Sequence, residues 1–141
     1  MEDVIIKSTT RLMMPFIQMF GLYVIFHGHL TPGGGFQGGA VIGGSMILLV
    51  VVYGMGEGTK RASHDISVIF EAFAMGFALA GFIGIFLGYN FLSNKIAGVP
   101  VGIPGNIFSG GIIFMINIVI GFKVASTGKT LFYTLVQEVP E

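Results

Sequence analysis

The sequence predicts an all-α integral membrane protein of four transmembrane helices, with a glycine-rich first loop and both termini cytoplasmic. Three observations carry that prediction. The 141 residues are 53% hydrophobic and only 10% charged, where soluble domains carry about 25% charged residues. A soluble core of this size has no room for so much apolar surface, so lipid is the expected solvent for most of it. Four runs, roughly 10–29, 38–55, 66–89 and 106–125, reach the length of about 20 residues that a bilayer crossing needs. The basic residues also divide by side. With four crossings, Lys7, Arg11, Lys60, Arg61, Lys123 and Lys129 fall on the side of the termini and only Lys95 falls opposite. The positive-inside rule then places both termini in the cytoplasm. The chain reads as a single membrane domain over 1–141, its last dozen residues a peripheral tail.

Composition excludes several classes. The seven basic and seven acidic residues cancel and lie mostly outside the apolar runs, which argues against nucleic-acid binding. Cysteine is absent, which removes disulfides, thiolate clusters and Cys-ligated zinc. The start, Met-Glu-Asp-Val, is acidic and the first run is too long for a signal-peptide core, so no cleaved leader is expected.

In the first run Pro15 falls near the expected helix start, where proline is tolerated. On a helix of 3.6 residues per turn, Arg11, Gln18, Leu22, Ile25 and His29 share a face, and His27 points elsewhere. Two readings follow. Gln18 and His29 line a hydrated path, or Arg11 and His29 mark the two interfaces while Gln18 bonds to a neighbouring helix.

The loop 27–39 joins two histidines, Thr31 and Gln37 to six glycines and Pro32. Thr31-Pro32-Gly33 is a turn signal, since proline presets φ and glycine tolerates positive φ. Gly33, Gly35 and Gly38 have the spacing of a dinucleotide fingerprint. That motif needs a short strand before it, however, and a membrane-length run precedes it here. A tight interhelical turn is the better reading.

Gly35, Gly39 and Gly43 recur at every fourth position and let the second run approach a neighbour closely. The third run carries Ala72, Gly76, Ala80, Gly84 and Gly88 at the same spacing, a small-residue ridge for helix packing. Glu71 is the only acidic residue well inside a run. It is a proton carrier or cation ligand if buried at depth, and an interfacial residue if the helix starts later. Residues 90–105, rich in Gly and Pro, form a turn-rich crossover. In the fourth run Gly110, Phe114, Asn117 and Gly121 share a face, with Asn117 either interhelical glue or an ion ligand. Lys123 can snorkel to the cytoplasmic interface.

Soluble-type chemistry is not written in the chain. The glycine cluster lacks the Lys-Ser/Thr of a P-loop. His27 and His29 diverge on a helix, no His-Glu-x-x-His pair occurs, and Asp65 lies on the loop opposite the histidines. No catalytic residue, metal or cofactor is predicted.

One stretch does carry a likeness. Gly-His-Leu-Thr-Pro-Gly-Gly-Gly-Phe-Gln-Gly-Gly at 28–39, leading into an apolar helix, resembles the signature of the small B subunit of Mrp-type multisubunit sodium/proton antiporters. That domain recurs in the antiporter modules of membrane-bound hydrogenases and related respiratory complexes. The likeness spans the chain in length and in its four runs. It is most specific at Pro32, Gly33, Gly34, Gly35, Phe36, Gly38 and Gly39. It implies a multi-pass subunit of a prokaryotic cell membrane, partnered by other membrane subunits, in a complex that exchanges sodium ions for protons. In that family the proton machinery, with lysines and glutamates in broken helices, resides mainly in large subunits. No buried lysine in a broken mid-span helix is expected here, which fits an auxiliary role. Glu71, His29, Gln18 and Asn117 are pathway candidates from physics alone. A purely structural role through the glycine ridges stands beside the transport role. A free-standing antiporter and a redox-driven complex are equally compatible with the residues.

Overall fold

The computed structural model describes residues 2–30, 33–61, 72, 75–76, 79, 81–82, 85–86, 88–92, 103 and 105–137. Among these residues there are helices and turns but no strands. Helix α1 spans Glu2–Phe26, α2 spans Gly35–Arg61, a 3₁₀ turn covers Ile107–Gly110, and α3 spans Ile112–Gln137. Three stretches are long and apolar enough to cross a bilayer: Asp3–Phe26, Gly35–Gly56 and Ile112–Val136. Helix suits such sequences because hydrocarbon offers backbone polar groups no outside partner. The predicted third run lies mostly outside the described residues. Those described in it up to Phe86, such as Ala72, Gly76 and Phe82, are helical, and Gly88 belongs to a turn.

Two boundaries differ from the sequence reading. α1 starts at Glu2 rather than near residue 10, so Pro15 stands in mid-helix, where membrane helices tolerate proline better than soluble ones. α1 also stops at Phe26, so His29 lies in the turn beyond it and not on the Gln18 face of the helix. At the other end, α3 continues to Gln137, and the residues read as a tail up to there are helical. Their hydroxyls turn inward: Thr130 Oγ1 donates to the Ser126 carbonyl and Thr134 Oγ1 to the Thr130 carbonyl, both at 3.1 Å. Polar residues thus satisfied within the helix do not end it.

α1 and α3 both pack on α2 and touch each other little. α1 runs antiparallel to α2. Gly21 lies against Ile42, Gly38 against Ile25, and the Tyr53 hydroxyl donates to the Lys7 carbonyl at 3.0 Å. The face α1 turns inward carries Thr10, Met14, Gly21 and Ile25, an apolar stripe at helical spacing. Arg11 is exposed. α3 runs parallel to α2, with Gly35 on Asn117, Gly39 on Gly121 and Gly43 on Ala125. Ile25, Ile42 and Ala125, one from each helix, form the buried centre, flanked by Leu22, Met46 and Ile118.

α2 is interrupted once. Gly54 adopts φ 80°, ψ 166° inside it, a conformation essentially restricted to glycine. The apolar run predicted to close near Met55 therefore breaks at Gly54 and resumes as helix to Arg61.

Candidate functional site

The site is the joint where α1 turns into α2 and meets the start of α3. The turn begins while α1 is still closing, with His27 N donating to Tyr23 O at 3.0 Å and Leu30 N to His27 O at 2.9 Å. The His27 ring stacks on Tyr23 with 4.2 Å between centroids, and its Nδ1 lies 3.0 Å from the Tyr23 carbonyl. Gly33 and Gly34, at φ 145° and 99°, carry the chain into α2, a path that side-chain-bearing residues rarely take.

What closes the joint is the absence of side chains. A Cβ at Gly35 would strike the Asn117 carbonyl oxygen, and one at Gly39 the Gly121 carbonyl oxygen. A Cβ at Gly28 would strike the Gly34 backbone, and one at Gly110 would stand 2.8 Å from His29 Cδ2. Backbone therefore meets backbone, and dispersion between closely set main chains takes the place of a hydrophobic driving force that lipid does not supply. The Asn117 amide is wedged between two of these glycines. Its Nδ2 would lie 3.2 Å from a Cβ on Gly28, and its Oδ1 3.5 Å from one on Gly34.

His29 is the unusual member. Its ring meets Phe114 edge-on at 5.7 Å, and both ring nitrogens are buried without a hydrogen-bond partner among the described residues. An imidazole carries at least one N–H, so burying it without a partner costs about 1–3 kcal/mol. Beside it Phe114 contacts Phe26 and Phe108, at 5.9 and 5.5 Å between centroids. Between α1 and α3 this aromatic wall opens into an apolar groove of about 600 Å³ that Met19, Tyr23 and Phe108 help to line.

The joint thus gathers His29, Asn117, Gly34, Gly35, Gly38 and Gly39. Gln18, half-buried, lies more than two turns down α1 and outside it, while Phe36 is exposed. Pro32, Glu71, Ala80 and Gly84 lie outside the described residues. Gly76 and Gly88 have open space where a Cβ would stand. The sequence reading missed Lys129, which is only 6% exposed within α3. The signal was present: Asn117, Gly121, Ala125, Lys129 and Tyr133 recur at every fourth position, but the predicted run stopped at Ala125. A buried lysine is therefore part of this chain, in an unbroken helix.

The same residues that form the joint sit inside a family match. A domain described as related to the MnhB subunit of Na+/H+ antiporters matches residues 5–129. The chain belongs to the MnhB-related family. Among its relatives, an uncharacterised protein of Methanocaldococcus jannaschii is 36% identical over 135 residues, covering 93% of this chain and 51% of that protein. A Staphylococcus aureus protein named as antiporter subunit mnhB2 is 32% identical over 92 residues, 65% of each chain. A chain in the structure of the membrane-bound sulfane sulfur reductase, an archaeal respiratory membrane complex, superposes with a TM-score of 0.73 at 30% identity. It covers 93% of this chain and 56% of that one. The MnhB-related chain thus spans about half to two thirds of the length of these relatives.

Proposed function

We propose that the chain is an auxiliary membrane subunit of a multisubunit complex that exchanges sodium ions for protons. The complex is either a free-standing antiporter or the antiporter module of a redox-driven respiratory complex. The observation that carries this reading is the joint itself. Glycines lock three helices together beside an imidazole whose buried nitrogens have no hydrogen-bond partner among the described residues, in a stretch that belongs to the MnhB-related match. His29 and Asn117 at the joint, with Gln18 and Glu71, are the residues that would border an ion route shared with other membrane subunits. The relatives named for an antiporter and for a respiratory complex favour both settings equally.

Four crossings with both termini in the cytoplasm of a prokaryotic cell membrane complete the reading. The parallel course of α2 and α3 supports it, because a chain leaving the far end of α2 must cross once more before α3 can start beside Gly35. Lys7 on α1 and Lys60 and Arg61 at the end of α2 then share one side, in keeping with the positive-inside rule.

The test is to delete the chain and restore it, with sodium-driven proton movement measured in inverted membrane vesicles and the co-purifying subunits identified. Restored exchange supports the transport reading, and antiporter-like subunits without redox partners favour the free-standing form. Exchange that is unaffected by the deletion would contradict it. A purely structural role is separated by His29→Leu and Glu71→Gln. Both are silent if the chain only packs, and both lower exchange in an intact complex if the residues border the route.

A further inference from the structure

Lys129 lies at a depth where a charged side chain is costly. The contacts of Gly35 with Asn117, Gly39 with Gly121 and Gly43 with Ala125 set a steady register between α2 and α3. One turn further, that register brings Lys129 level with Ile47. The apolar stretch of α2 runs Gly35–Gly56, so Lys129 stands about 18 Å from one end of it and about 14 Å from the other at 1.5 Å per residue. At 6% exposure its stem lies within the bundle rather than along lipid. Snorkelling to an interface is not what this side chain does.

A second polar group stands beside it. The Lys129 Nζ is 5.6 Å from the centre of the Tyr133 ring, one turn on. The Tyr133 hydroxyl is buried with no hydrogen-bond partner among the described residues. A hydroxyl held in that way is costly unless something visits it. Asn117 lies twelve residues earlier on α3, so polar stations occur at the joint and near mid-depth of the same helix. Ionisable side chains at membrane depth mark ion and proton routes more often than they mark packing.

We propose that Lys129 is a proton-exchange site of this subunit and that Tyr133 is its positioning residue. In the forward step an N–H bond of the Lys129 ammonium breaks, its electron pair stays on Nζ, and the proton passes to a water molecule held by the Tyr133 hydroxyl. The reverse step reloads the amine. An amine suits this task because it sheds its charge with its proton, which a guanidinium does not do. The proposal rests on the transport reading given above.

Membrane vesicles carrying the assembled complex are compared for wild type, Lys129→Arg, Lys129→His, Lys129→Gln and Tyr133→Phe. Complex abundance is measured beside sodium-driven proton flux. At equal abundance, Lys129→Arg and Lys129→Gln lower the flux about tenfold or more. Lys129→His, which can still take up and release a proton, recovers part of it, and Tyr133→Phe falls between. Wild-type flux with Lys129→Arg would overturn the proposal, because a fixed charge would then suffice. If Lys129→Arg fails to assemble, Lys129→His decides: flux no better than Lys129→Gln overturns it equally. A wild-type complex with no sodium-driven flux at all would overturn the transport reading, and this proposal with it.

Discussion

The two ends of the bundle use the same residue in opposite ways. At the joint end, Gly28, Gly35, Gly38, Gly39 and Gly121 each sit where a Cβ would run into a neighbouring element. Toward the other end, Gly44, Gly54, Gly56 and Gly128 have nothing within 4 Å of the same position. The first group makes helices touch; the second faces open space. Where glycine no longer brings main chains together, a side chain reaches between helices instead, as Tyr53 does to Lys7. One end is a rigid clamp and the other is built from longer, polar contacts. The proposed ion-exchanging role has use for both, since a route needs a fixed frame and side chains that can change partners.

The sharpest way to break this contrast is at the clamp. Gly35→Leu puts a branched side chain into the Asn117 carbonyl, which no rotamer avoids. The α2–α3 contact is expected to be lost, read as failure of the chain to co-purify with its complex. Gly54→Ala tests the open end, where space is free but φ is 80°. The strain is expected to cost about 1–3 kcal/mol in detergent unfolding, unless α2 straightens. Straightening would be seen as a gain in helical signal without loss of stability. Tyr53→Phe removes one hydrogen bond, to the Lys7 carbonyl at 3.0 Å. A loss near 0.6 kcal/mol is expected, measured in the same unfolding assay.

Much of the clamp was legible in the sequence. Glycines at every fourth position announced close packing, and Gly35, Gly39 and Gly43 do lie on α3. Hydropathy found three stretches that the structure shows as helices long and apolar enough to cross, since apolar runs of membrane length have few alternatives to helix. The boundaries were less legible, because hydropathy fades before the helix does. Thr127, Thr130 and Thr134 made the end of α3 look polar, yet two of their hydroxyls bond back into the helix. That is why Lys129 was counted among the basic residues on the side of the termini when it is buried within α3. His29 was placed on the Gln18 face because α1 was run three residues too far. Which glycine pairs with which residue was beyond one sequence, since contact depends on how helices far apart in the chain are brought side by side.

The central claim is that glycine holds helices together where it faces a neighbouring helix and is incidental where it faces open space. It is tested most directly by alanine at two positions of one helix, five residues apart. Gly39→Ala pushes a Cβ into the Gly121 carbonyl, and a loss of about 1–3 kcal/mol is expected. Gly44→Ala meets open space in mid-helix, where alanine is the better helix former, and a gain of about 0.5–1 kcal/mol is expected. Opposite signs in detergent unfolding are the predicted result. Equal losses at both positions would contradict the account.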